Sequence, residues 1–152
     1  TDWAGNPLTE VITGVSGAAA SSTVSFKTVT SVLTSGAAAT TVTVGTNGVA
    51  DSPWVRFDTY GAMAEVAIQV NGSGTVSWTV RQTLSDPMAY GDPAYNDADA
   101  VVWVNHPDAA LVASAVTTGV QGNYAYTPIF AKVVMNSGTG TVFATFAQTY
   151  QG

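Results

Sequence analysis

The chain has 152 residues, of which only 9% are charged: ten Asp and Glu stand against four Lys and Arg, for a formal net charge of −6. That length suits one domain with a core of useful size, and the scattered basic residues Lys27, Arg56, Arg81 and Lys132 exclude nucleic acid as an expected partner. There is no cysteine, hence no disulfide framework or thiolate metal site, and no run approaches the ~18 apolar residues of a membrane span, so no membrane partner is expected.

The opening stretch TDWAGNPLTE lacks a basic region followed by an apolar run, so no signal peptide is expected there. Thr1 fits removal of an initiator methionine or loss of a longer leader. Residues 1–50 are rich in Ala, Ser and Gly and are expected to form a projecting hairpin or arm within a single 1–152 domain. Inside them FKTVTSVLTSGAAATTVTVGT reads as a first hairpin, with Val42 and Val44 beyond its turn. Trp3 is fixed by no alternation and is expected at an interface, where Trp and Tyr carry much of the binding energy.

In EVAIQVNGSGTVSWTVRQT, residues 65–83, Val66, Ile68 and Val70 alternate with Ala67 and Gln69. Beyond the Gly-rich turn, Val76, Trp78 and Val80 alternate with polar residues. Two period-two runs around a four-residue loop predict a β-hairpin with one buried face. Trp54, Trp78 and Trp103 are expected to fill the core, where aromatic rings bury the most area.

The stretch LSDPMAYGDPAYNDADAVVWVNHPDAAL, residues 84–111, holds the single histidine and half of the acidic residues. Asp86-Pro87 and Asp92-Pro93 are turn formers, explained by Asx-turn or capping roles. Asn96, Asp97 and Asp99 are the residues that could begin a calcium site, yet the EF-hand glycine and terminal glutamate are missing, so no metal is expected. His106 is the sole candidate base, and no serine stands in a nucleophile-elbow setting. Paired carboxylates of glycosidase type need an apolar setting that raises one pKa, and these aspartates are flanked by Pro, Gly, Ala and Asn. No catalytic residue is expected. The loop is expected to be a long excursion between core strands whose Tyr90 and Tyr95 suit contact with a neighbour.

HPDAALVASAV is expected to give at most one short helical turn, with Asn105 as cap and Pro107 in its first turn. Tyr124 and Tyr126 are expected at an interface. AKVVMNSGTGTVFATFAQTY repeats the hairpin plan, and GTVFATFAQT shares Gly, Thr, Val, Thr, Gln and Thr with GTVSWTVRQT. Together these elements predict an all-β fold: an antiparallel β-sandwich, jelly-roll-like and built from hairpins.

The succession GNPLTEVITG, FKTVTSV, VTVGTNGVADSPWVRFD, TVRQTLSDP and NYAYTPIFAKVVMNSGTGTVFATFAQ resembles a group of β-rich virion structural proteins of tailed bacteriophages, over most of the chain. Its strongest parts are residues 52–55, 82–84, 123–128 and 136–140, which are pieces of β-scaffold and match no catalytic residue. The start departs from the pattern and resembles the middle of a longer amino-terminal β-region. The resemblance implies a non-enzymatic particle component without cofactor. Its leading form is a capsid decoration (cement) protein, made in the host cytoplasm and bound as an oligomer to the outer capsid surface. Its partners would be the major capsid protein and copies of itself. The alternatives are a tail or head–tail connector component and a receptor- or glycan-binding module, with a cell-wall hydrolase ranked last.

Overall fold

The computed structural model describes residues 1, 5, 7–15, 18–24, 26–36, 44, 49–59, 65–97 and 100–149. The chain divides into two compact units, Thr1–Asn47 and Gly48–Gly152. In the first, the Glu10 carboxylate accepts hydrogen bonds from the Thr23 N–H at 2.8 Å, from Thr23 Oγ1 at 2.6 Å and from the Ser22 hydroxyl. Residues 26–36 and Val44 of the expected first hairpin carry no strand, and Val42 lies outside the described residues.

The second unit is all-β and antiparallel. Among the described residues its strands are β1 Ala50–Asp51, β2 Val55–Arg56, β3 Glu65–Ser73, β4 Val76–Thr83, β5 Val104–Asn105, β6 Val120–Tyr124, β7 Phe130–Gly138 and β8 Thr141–Thr149, and a 3₁₀ turn stands at Ala109–Leu111. One sheet runs β1-β7-β4-β5, with β2 also on β7; the other runs β6-β3-β8. The alternation read in the sequence sets the inward faces. Val66, Ile68 and Val70 of β3 meet Val76, Trp78 and Val80 of β4 in one core with Phe57, Leu111, Tyr124, Ala131 and Val133. Burying each large apolar side chain contributes about 1.5–3 kcal/mol.

The two hairpins expected in this unit, at 65–83 and at the carboxy end, are not hairpins. β3 pairs with β8, Ser73 opposite Thr141, while β4 pairs with β7, Val76 opposite Gly138. Each turn therefore carries the chain from one sheet to the other, forming an arch. The physical reason lies in burial. A lone hairpin would gather its apolar side chains on one face of a two-stranded ribbon, with nothing opposite to cover them. Crossing between sheets sets the two apolar faces against each other across the sandwich. The arches also nest: Thr139 and Gly140 donate their N–H groups to the Thr75 carbonyl at 3.0 and 3.2 Å. The sequence repeat places GTVSWTVRQT on β4 and GTVFATFAQT on β8, so the arches β3–β4 and β7–β8 are equivalent units lying head to tail.

Glycine is obligatory where the arches touch. Gly138 has φ +120°, and a Cβ there would stand 2.2 Å from the Thr75 oxygen; at Gly140 it would stand 1.9 Å from the Ser73 oxygen. No side chain fits either gap.

The β5 edge is interrupted. After Asn105, the His106 N–H still reaches the Val80 carbonyl at 2.9 Å, and then the chain bulges out before Ser114 exchanges two backbone hydrogen bonds with Trp78. The bulge holds the 3₁₀ turn, which drops Leu111 into the core. Its cap is Asp108, whose Oδ1 accepts from the Ala110 N–H at 2.9 Å. Asn105 is instead a β5 residue accepting from Arg81 Nε at 3.2 Å. Of the tryptophans expected in the core, Trp78 is fully buried there, its Nε1 donating to the Val116 carbonyl at 3.1 Å. Trp54 and Trp103 are half-buried and pack on each other, and Trp54 packs on Phe130, which sits on the opposite face of β7 from Ala131 and Val133.

Candidate functional site

Residues 84–103 leave β4 and return to β5, which pair with each other at Arg81–Asn105 and Gln82–Val104, so the loop begins and ends at one sheet edge. Its aspartates hold it together. Asp86 Oδ1 accepts from the Met88 N–H at 3.0 Å, and Asp92 Oδ1 from the Ala94 N–H at 2.8 Å, two Asx turns each spanning a proline. The second oxygen of Asp92 accepts from the Asp86 N–H at 3.0 Å, tying the turns together. These backbone donors hold the Asp92 carboxyl below the usual carboxylate range. Asp86 is buried, and its Oδ2 receives the Arg56 guanidinium at 2.9 Å. Further backbone bonds, Asn96 N–H to Pro87 at 2.9 Å and Asp97 N–H to Ala94 at 2.8 Å, close the loop on itself.

Braced in this way, the loop holds aromatic rings in solvent. Tyr90 is 93% exposed and meets the exposed Tyr95 edge-on, with ring centroids 5.5 Å apart. Leu84, Met88, Val102 and Val104 are exposed as well. Of the residues that could begin a cation site, Asn96 takes a left-handed conformation at φ +57°, and Asp97 Oδ1 accepts from the Ala100 N–H at 3.3 Å. Asp99, like Trp3, lies outside the described residues. No group of three or more His, Asp or Glu side chains gathers around one point among the described residues.

His106 is only 3% exposed and faces inward between the sheets. Its Nδ1 accepts from the Asp108 N–H at 3.0 Å, which puts the ring proton of the neutral form on Nε2. Nε2 is buried and makes no hydrogen bond among the described residues, and the ring packs edge-on against Tyr124 at 4.6 Å. Burial lowers the His106 pKa, opposed in part by the Asp108 charge and the Asn123 backbone. Tyr124, expected at an interface, is instead 7% exposed and part of the core. It pairs with Val66, and alternation along β6 turns Val120, Gly122 and Tyr124 inward. Burial, with Tyr126 nearby, raises its pKa. Tyr126 does reach the surface, its hydroxyl accepting from Gln82 Nε2 at 2.6 Å.

A cluster that the sequence reading did not single out covers the outer face of β7. Lys132 and Asp51 form an ion pair at 2.6 Å with side chains 8% and 7% exposed, and the ammonium lies 4.6 Å from the Trp103 ring centre. Trp103 meets Trp54 at 5.0 Å, Trp54 meets Phe130 at 5.7 Å, and Arg56 lies over Phe130. The signal was a lone lysine inside the apolar run FAKVVM, since a cation in a buried strand needs an anionic partner. These contacts fix β1, β2 and the loop's return against the sheet.

The outer face of the β6-β3-β8 sheet is a shallow open groove lined by Ala67, Gln69, Gln121, Thr145 and Ala147. Gln121 Nε2 bridges to Gln69 Oε1 across it at 3.1 Å. Comparison of the chain with protein-family models, curated proteins and solved structures finds no match.

Proposed function

We propose that this chain is a structural component of a tailed-bacteriophage particle, a decoration protein that binds the outer surface of the major capsid shell as an oligomer. The observation that carries this reading is the loop at 84–103. Among the described residues its Asp86, Asp92 and Asp97 carboxylates bind its own backbone and Arg56, and what it offers to the outside is a preorganised pair of tyrosines with Met88. A loop already ordered before binding loses little conformational entropy on docking, and Tyr gives large contact area for few rotatable bonds. The sparse surface charge suits burial against a neighbour, because ions are costly to desolvate at an interface. A net charge of −6 favours the outer surface over the packaged genome. The resemblance of the sequence to β-rich virion proteins supplies the particle.

Binding only the assembled lattice raises the free energy needed to take it apart, in proportion to occupancy. The direct experiment is addition of the purified chain to shells that lack it, followed by sedimentation. Wild-type protein is expected to pellet with the shells and to raise their resistance to heat. A Tyr90→Ala, Tyr95→Ala double variant is expected to bind about tenfold or more weakly. Equal binding by the variant would remove the loop from the interface.

A further inference from the structure

The edges of the two sheets are unequal. β1, β2 and β5 are two residues long, β6 has five residues, and β8 has nine. Among the described residues no strand pairs with β8 on the side away from β3. An edge of that length exposes a row of backbone N–H and C=O groups, the template for another strand. Proteins usually block such edges with lysine, proline or a bulge. The sequence of β8, TVFATFAQT, contains no charge, proline or glycine, and its pairing with β3 runs without a register shift. Phe143, its third residue, is 66% exposed.

The order of residues in β8 names the occupant. Turned about Thr145 and laid antiparallel to itself, the strand sets Phe143 opposite Ala147 and Phe146 opposite Ala144. Thr141 then faces Thr149, and Val142 faces Gln148. Each large ring meets a small side chain on both faces of the sheet, and no like charges oppose each other. Gln148 faces inward and binds the Asp58 N–H and carbonyl at 3.0 and 2.6 Å through its side-chain amide. Those two bonds use none of the β8 backbone.

We infer that β8 is a self-association strand: a second copy of this chain adds its own β8 antiparallel, about a two-fold axis through Thr145, joining the two β6-β3-β8 sheets into one of six strands. Closed two-fold pairing of this kind also removes the open edge that would otherwise recruit further chains. The joined sheet doubles the groove lined by Ala67, Gln69 and Thr145 into one continuous face. This inference rests on β8 alone and stands or falls without the capsid reading.

The test uses the charge-free dyad. Thr145 is exposed, so Thr145→Lys and Thr145→Glu leave the fold intact, which circular dichroism checks. In the dimer the two copies of residue 145 face each other with Cβ atoms about 5 Å apart. Like charges at that distance weaken association about tenfold or more, and opposite charges restore it. Sedimentation equilibrium is expected to show a wild-type dimer, monomeric T145K and T145E, and a dimer again when the two variants are mixed in equal amounts. As a second arm, Thr145→Cys in this cysteine-free chain is expected to oxidise to a disulfide-linked dimer, while Ala115→Cys stays monomeric. A wild-type monomer, variants that associate as the wild type does, a mixture that stays monomeric, or equal cross-linking at both cysteines would each overturn the inference.

Discussion

Replacing Gly140 by Ala tests whether the two arches are nested. The new methyl carbon would stand 1.9 Å from the Ser73 carbonyl oxygen and 2.7 Å from Val76 Cγ1, whereas ordinary contact begins near 3.4 Å. The Ser73 and Gly140 backbones must then separate by about 1.5 Å. That movement disturbs the Gly140 to Thr75 hydrogen bond and the Ser73–Thr141 pairing together. Overpacking that shifts backbone costs about 1–3 kcal/mol, and because both arches must move the upper end applies, about 3 kcal/mol. For a unit of this size such a loss lowers the melting temperature by roughly 10–20 °C. Calorimetry of wild type and variant reads the effect directly. Gly91→Ala is the control: φ there is +96°, but no atom lies within 4 Å, so only local backbone strain of about 1–2 kcal/mol is expected. If G140A melts no lower than G91A, the nested arches are wrong and the turns close as hairpins.

The other predictions concern buried charge. Asp51→Ala leaves the Lys132 ammonium, 8% exposed, without its anion and is expected to cost about 3–5 kcal/mol in denaturant unfolding. Adding Lys132→Met to it recovers most of that loss; a double variant as unstable as the single one would show that the ion pair is not the cause. Burial lowers the His106 pKa in the folded chain, so the unfolded chain binds the proton more readily. The contribution of neutral His106 is therefore complete above the ordinary histidine value of about 6.5 and is lost as pH falls below it. Unfolding midpoints should drop between pH 7.5 and pH 5.5, and His106→Gln should flatten that slope; a slope unchanged in the variant would assign it to other groups.

How much was legible depended on the range of the interaction that decides each feature. The Asx turns at Asp86 and Asp92 were readable because donor and acceptor are two residues apart and a proline fixes the residue between. The inward faces of β3 and β4 were readable because alternation is local to a strand. Pairing was not, since Val66-Ile68-Val70 and Val76-Trp78-Val80 give one pattern whether their turn folds within a sheet or crosses between two. What decides is the presence of β7 and β8 as partners for each arm, far along the chain. Tyr124 was misplaced because the inward alternation of β6 includes Gly122, which shows no apolar signal. Gly122 is small because Leu111 and His106 occupy the space beside it, where a Cβ would lie 2.6 Å from Leu111 Cδ1. Asp51 and Lys132 are 81 residues apart, and only the folded sheet shows them as a pair.

The proposed role as a shell-binding protein is tested most directly by counting this chain in purified particles, with the major capsid protein as internal standard. Lattice-wide decoration gives copies in the hundreds, in a fixed ratio to the shell subunit and absent from isolated tails. A count of about six, about twelve or a few dozen, or recovery with the tail fraction, would contradict shell decoration and assign the chain to a ring at one vertex or along the tail.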